Sequence, residues 1–332
     1  MDTREIHLAR RPHGLPQDED FAVVTRQLPD LEPGQVLVRN DYLSVDPYMR
    51  PRMNDVKSYI PPFELGKALD GGAIGTVIES ADEYIAVGTV VSHGLGWREH
   101  AVLRSKWVRV IDDESVPASY HLGVLGMPGM TAFVGLFDIA AFKPGDAVFV
   151  SGAAGAVGGL VGQFAKLAGA SRVIGSAGSA EKVAFLQEEF GFDAALNYRD
   201  GDLVGQLAAA APEGFDVYFD NVGGDHLAAA LETINDHGRM ALCGTVSSYN
   251  ATGSQTVPGN MFRAVGKRLT MRGFIVSDHE QRRAEFEQQV TAWLQAGELT
   301  YRETFIDGLD QMIEGFRGLL TGANTGKMVV RL

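Results

Sequence analysis

The sequence predicts an α/β protein in two parts, a small β-barrel followed by a doubly wound parallel sheet. Three observations predict it. The first ~120 residues carry short runs rich in Val, Ile and Tyr, punctuated by Gly, Pro and Asp. From near Gly123 to about Gly297, short apolar strands alternate with helix-length segments. A chain of 332 residues holds two domains at ~150 residues each.

In the first part, strands are expected at Phe21–Arg26, Val36–Leu43, Gly72–Ile78, Gly88–Ser92 and His100–Arg104. Many short strands with regular turns suit a small barrel. In the second part, strands are expected at Ala147–Ser151, Arg172–Ser176, Ala194–Asn197, Val217–Asp220, Arg239–Leu242 and Leu269–Phe274. The helices around them are Gly155–Leu167, Ala180–Phe190, Asp225–Ile234 and Gln281–Gln295. Helical crossovers between successive strands imply a parallel sheet. The chain ends with a helix near Leu309–Leu320 and a strand at Lys327–Arg331, which either cap the sheet or rejoin the first part. Periodicity does not decide between them.

Hydrophobic residues make up 45% and charged residues 21%, an ordinary folded balance. With 29 basic and 42 acidic residues the net charge is −13, which argues against nucleic-acid or anionic-membrane partners. An anionic ligand therefore needs a local cationic or backbone N–H site. The single cysteine, Cys243, excludes an intrachain disulfide and a Cys-rich zinc site, and a lone Cys is usually a small hydrophobe. The eight histidines show no metal-ligand spacing, so no metal is expected. Met1 to Arg10 lacks the pattern of a secretory signal, and no apolar run approaches the ~20 residues of a membrane span. A cytoplasmic protein is expected.

The strongest local motif runs Ser151-Gly152-Ala153-Ala154-Gly155-Ala156-Val157-Gly158-Gly159 between a strand and a helix. A strict dinucleotide fingerprint has glycine where Ala153 stands. Gly155 is expected to let the backbone approach a pyrophosphate, and Gly158 to let the helix pack on the strand. The helix N-terminus then offers N–H groups and its dipole to phosphates. Glycines also mark plain tight turns; strand before and helix after favour the nucleotide reading. This is a Rossmann-type signature.

NAD-preferring sites carry an acid at the tip of the second strand, ~20 residues past the glycines. Here that strand ends Ser176-Ala177-Gly178-Ser179, without a carboxylate. Ser179 reads as a helix N-cap, and Lys182 follows in the first turn, where a cation opposes the helix dipole unless an anion binds nearby. Asn197-Tyr198-Arg199, after the third strand, offers further donors to the same phosphate. NADP, as NADPH, is the expected cofactor.

Further motifs run along the chain: Leu43-Ser-Val-Asp-Pro-Tyr-Met-Arg50, Gly126-Met-Pro-Gly-Met-Thr-Ala132, Tyr218-Phe-Asp-Asn-Val-Gly-Gly224, Ser248-Tyr-Asn250, Gly273-Phe-Ile-Val276 and Gly322-Ala-Asn-Thr-Gly-Lys327. In this order, from about residue 5 onward, the chain resembles the zinc-independent medium-chain reductases: prostaglandin reductase, alkenal double-bond reductases and curcumin reductase. The resemblance implies a GroES-like barrel over residues 1–122, completed by 298–332, and a Rossmann NADP-binding domain over 123–297, with cofactor and substrate in the cleft. It implies Ser176, Lys182 and Tyr198 at the adenosine 2′-phosphate. It puts Asn221, Cys243, Gly244, Phe274, Ile275, Val276 and Asn324 along the rest of the cofactor, and a homodimer as the assembly.

The implied reaction is NADPH-dependent reduction of a carbon–carbon double bond in an α,β-unsaturated aldehyde or ketone. Tyr249 follows the fifth strand, where such folds bind ligands, and is the expected proton or hydrogen-bond donor; a ribose hydroxyl of the cofactor is its rival. Tyr48 and Met127 are expected in the substrate pocket. Arg50 and Arg52 either meet an acidic substrate tail or pair with surface carboxylates, and Met130 and Met261 are pocket or plain core. A quinone oxidoreductase of the same fold and a non-catalytic NADPH-binding protein are the alternatives.

Overall fold

Residues 1–113, 115–253 and 256–332 are described by the computed structural model of the chain. In chain order, the first stretch holds β1 (Asp2–Leu8), β2 (Phe21–Gln27), β3 (Gln35–Ser44), the short helix α1 (Met49–Arg52), β4 (Ala73–Ser80), β5 (Val90–His93), β6 (His100–Arg104) and β7 (Arg109–Val110). Then come α2 (Met127–Val134), β8 (Ala147–Val150), α3 (Gly158–Leu167), β9 (Arg172–Ala177), α4 (Ala180–Glu188), β10 (Ala194–Asn197) and α5 (Leu203–Ala210). They are followed by β11 (Phe215–Asp220), α6 (Gly224–Thr233), β12 (Ile234–Leu242), α7 (Arg263–Gly266), β13 (Thr270–Gly273) and α8 (Arg283–Gln295). The chain closes with β14 (Glu303–Asp307), α9 (Met312–Thr321) and β15 (Lys327–Arg331). It divides into two compact units, 1–122 with 303–332, and 123–302.

In the first unit, β14, β15, β3, β4, β5 and β7 follow one another in a mixed sheet, with β6 on β3, and β1 pairs with β2. The ending therefore rejoins the barrel: β15 runs antiparallel to β3, Val329 opposite Ser44, and parallel to β14. The core gathers Ile6, Leu8, Phe21, Leu43, Met49, Trp97, Met312 and Phe316. Trp97 stacks on Phe21 and meets Phe316 edge-on, which seals the C-terminal helix onto the barrel.

In the second unit, six parallel strands run in the order β10-β9-β8-β11-β12-β13. That is the Rossmann order, with the reversal between β8 and β11. Val148, Phe149 and Val150 are fully buried, as a strand covered on both faces requires. Helix α3 turns Leu160, Val161, Phe164 and Ala165 inward. The fold is α/β, a GroES-like barrel domain plus a Rossmann domain.

Several elements depart from expectation. Helix α3 starts at Gly158, not Gly155, because residues 152–157 form the turn itself. Helix α2, prolonged by a π turn over Gly135–Ile139, stands where Gly126, Pro128 and Gly129 read as a loop. Pro128 lies in the first helical turn, where its missing N–H has no helical partner to lose. Strands β1, β7 and β14 and helices α1, α5 and α7 lie outside the expected elements.

Candidate functional site

The loops at the carboxyl ends of β8, β9, β10, β11, β12 and β13 carry most of the residues singled out in the Rossmann unit. After β8 the chain turns through Gly152, whose φ of +61° is left-handed. Ala153 is tolerated in place of the fingerprint glycine because its neighbour Gly152 takes that strain; Ala153 is buried, its N–H 2.9 Å from the Ser176 carbonyl. A Cβ on Gly158 would lie 2.5 Å from the Gly152 carbonyl oxygen, so glycine there belongs to the packing of helix on strand. A Cβ on Gly155 would meet nothing nearer than that oxygen at 3.4 Å. The protein's own packing does not demand glycine at 155, which leaves backbone bare where a phosphate group would approach. Val157 provides no side-chain cap, so the first N–H groups of α3 have no side chain competing for them. Ala154, Gly155, Ala156 and Val157 form the rest of this cradle.

The tip of β9 forms the second part. Ser179 caps α4, its Oγ accepting from the Lys182 N–H, as expected. The Lys182 ammonium lies close enough to the Arg199 guanidinium that, after burial, this like charge is the next cause holding its pKa below the usual lysine value. Two cations stand at this corner, and the tip of β9, Ser176 to Ser179, bears no carboxylate. Tyr198, partly exposed, packs against Gly178, where a Cβ would lie 2.9 Å from its hydroxyl. Its other neighbour is His226, ring to ring at 5.1 Å. Ser176 is fully buried, with no hydrogen-bond partner for its Oγ among the described residues. A bare-backbone cradle, a helix terminus without a side-chain cap and a paired cationic corner fit an NADP-type dinucleotide.

The loops after β11 and β12 complete the arrangement. Asn221 donates its amide to the Ser151 carbonyl at 2.8 Å, tying the β11 loop to the glycine turn. The Cys243 and Gly244 N–H groups reach the Asp220 carbonyl at 2.9 and 3.0 Å. Burial pushes the Cys243 thiol up to about 12, so it stays protonated and unreactive. The Tyr249 hydroxyl lies over Gly244, 3.4 Å from the position of a Cβ there. Phe274 turns inward onto Phe219 and the π turn, where Gly135 has no Cβ to obstruct it. Ile275 and Val276, both half-buried, follow it. Met127, exposed, opens α2, whereas Met130 is core and Met261 packs against a core cluster.

Sequence reasoning missed Asp220. Its buried Oδ1 accepts from the Tyr218 hydroxyl at 2.7 Å, the Gly223 N–H at 2.8 Å, the Val222 N–H at 3.0 Å and the Ser151 hydroxyl at 3.1 Å. A polar residue ending a buried apolar strand was the available signal.

In the barrel unit, Tyr48 packs on the core, and burial raises its phenol pKa well above the usual value. Asn324 is buried, donating to the Gly326 carbonyl at 2.7 Å. The acidic-tail option for Arg50 is corrected: the side chain is buried and donates to the carbonyls of Pro12 and Gly14 and to Asn54 Oδ1. It serves the barrel's own loops. Arg52 lies over the Phe63 ring at 3.8 Å. Among the described residues, no group of three or more His, Cys, Asp or Glu side chains is arranged to hold a metal ion.

The chain is similar to known proteins over its length. Residues 4–111 match the family model for the N-terminal domain of oxidoreductase, and 156–296 match that for zinc-binding dehydrogenase. The chain is 41% identical to the NADPH-dependent curcumin reductase of Escherichia coli, across 98% of this chain and 95% of that one. It is 40% identical to the NADP(+)-dependent 2-alkenal reductase of Nicotiana tabacum, across 99% and 97%. The crystal structure of CurA from Vibrio vulnificus in complex with NADPH superposes with a TM-score of 0.93 at 40% identity, covering 99% of this chain and 98% of that one. The chain belongs to the prostaglandin reductase, alkenal double-bond reductase and curcumin reductase family of medium-chain dehydrogenase/reductases.

Proposed function

We propose that the chain reduces the carbon–carbon double bond of α,β-unsaturated aldehydes and ketones with NADPH. It is an oxidoreductase acting on CH–CH groups, and its small-molecule substrates are enones and alkenals. The observation that carries the cofactor half is the corner after β9, where Lys182 and Arg199 stand together and the strand tip, Ser176 to Ser179, bears no carboxylate. The curcumin and alkenal reductases, similar over nearly the whole chain, support the substrate half.

Gly152 through Gly158 would hold the pyrophosphate by backbone N–H groups. Lys182 and Tyr198, with Ser176 beneath them, would hold the 2′-phosphate. Asn221, Cys243, Gly244, Phe274, Ile275, Val276 and Asn324 would line the remainder. Bound NADPH supplies the hydride. Reduction of a conjugated double bond puts negative charge on the carbonyl oxygen, and a positioned donor lowers that barrier without a metal. Tyr249 is the proposed donor, giving a hydrogen bond to that oxygen or relaying the proton that ends on the α-carbon. Tyr48 and Met127 are proposed to face the substrate.

Tyr249→Phe is expected to lower kcat on a 2-alkenal by roughly 10²-fold while NADPH affinity holds. An unchanged kcat would remove Tyr249 from the chemistry. Lys182→Ala is expected to weaken NADPH by roughly 10–100-fold and NADH little, since the lost contact is a charge-assisted one. Equal weakening of both cofactors in calorimetry would refute the 2′-phosphate assignment.

We also propose a homodimer in the cytoplasm. The assembly rests on β13, an outer strand of the six-stranded sheet, flanked by Phe262 and Val265 at 68% and 81% exposure. The location rests on the single cysteine, which suits a reducing compartment.

A further inference from the structure

We propose that Asp220 is a positioning residue for the dinucleotide, holding the glycine turn and the β11 loop in register through one buried carboxylate while its backbone carbonyl holds the β12 loop. The inference rests on the cofactor reading above. Asp220 is 2% exposed, and no Lys, Arg or His side chain pairs with it among the described residues. A buried carboxylate without a cation needs hydrogen-bond donors. Here the donors are the loops themselves. Ser151 comes from the glycine turn, Val222 and Gly223 come from the β11 loop, and Tyr218 rises from within β11. The Asp220 carbonyl gathers the β12 loop through the Cys243 and Gly244 N–H groups. Ser151 passes the constraint on, because its Oγ accepts the Asn221 N–H at 3.0 Å and its carbonyl accepts the Asn221 amide.

Every backbone segment so held bears a residue proposed to line the cofactor: Gly152, Asn221, Cys243, Gly244. None of these bonds reaches Lys182 or Tyr198. Asp220 therefore acts on the part of the cofactor that NADPH and NADH share. It touches no reacting atom.

The test is calorimetric titration of the full chain and its variants with NADPH and with NADH. Asp220→Asn keeps an acceptor oxygen and loses the charge; Asp220→Leu loses both; Tyr218→Phe removes one donor. Charge-assisted bonds are stronger than neutral ones, so Asp220→Asn is expected to weaken both cofactors by the same factor, roughly tenfold, and Asp220→Leu by roughly a hundredfold. The KM for the alkenal is expected to move little. A merely structural Asp220 lowers the melting temperature yet leaves both dissociation constants unchanged in folded protein. That result in Asp220→Asn, or weakening confined to NADPH, overturns the proposal. If Asp220→Leu does not fold, Asp220→Asn and Tyr218→Phe decide by the same criterion. Failure of the unaltered chain to bind NADPH would instead refute the cofactor reading itself.

Discussion

Asp46 in the barrel unit and Asp220 in the Rossmann unit are both buried carboxylates, 4% and 2% exposed, and they are stabilised in opposite ways. Asp46 faces Lys327, itself 1% exposed, with Nζ 3.0 Å from Oδ1 and 2.7 Å from the Val45 carbonyl, and the Ser44 hydroxyl donates to the other oxygen. A formal charge meets a formal charge from 281 residues away. Asp220 meets hydroxyls and N–H groups, two of them from its next three residues. The first arrangement clamps distant chain segments of a barrel. The second shapes local loops and leaves their outer faces available to a ligand. Burial of an acid is thus a structural device in one unit and a site-building device in the other.

Lys327→Met is the most forceful way to break that comparison. It strands Asp46 as an unpaired buried charge, which costs about 3–5 kcal/mol, and Asp46→Asn added to it should recover part of the loss. Urea unfolding of the single and double variants measures both. A near-neutral Lys327→Met would mean that the barrel's ion pair is not a clamp.

A histidine in each unit sharpens the comparison through pH. His93 and His226 are held down to about 4 chiefly by burial. In the unfolded chain each takes a proton near pH 6.5, whereas the folded protein resists until about 4. Each therefore contributes stability that is present above that window and lost as pH falls from about 6.5 to about 4, to a limit of about 3 kcal/mol. His93→Gln and His226→Gln should each flatten the urea midpoint against pH by their own share. A midpoint indifferent to pH between 7 and 4.5 would contradict both.

The smallest expected stability effect separates two glycines of one turn. Gly158→Ala forces backbone apart and is expected to cost about 1–3 kcal/mol. Gly155→Ala should leave the free energy of unfolding within about 0.5 kcal/mol of the parent while weakening NADPH. If both variants lose stability alike, the bare cradle at 155 belongs to the fold and not to the ligand.

Much of the Rossmann unit was legible because apolar strands and helical spacing are local signals. Ala194–Asn197 coincides with the expected strand residue for residue, as Lys327–Arg331 does in the barrel unit. Strand β1 was not legible, since its buried Thr3 and Glu5 give no apolar alternation; the pairing with β2 makes it a strand. Helix α2 was hidden by its own Pro and Gly residues, and tertiary packing of Met130, Phe133 and Val134 overrides them. Within the site, the glycine turn and Lys182 could be read from spacing. The Lys182–Arg199 pair and the Asp220 network could not, because both depend on which strands end side by side.

One feature of the barrel bears on how the protein is made. Strand β3 is flanked by β15, whose Val329 lies opposite Ser44, and the whole of residues 123–302 is translated between them. At ~5–20 residues per second, β3 waits roughly 15–60 s on the ribosome for that partner. The contiguous dinucleotide unit is ready to fold in that interval, so the inner unit is expected to form first, and Tyr42 to Ser44 of β3 gain their last partner only when the closing strand arrives.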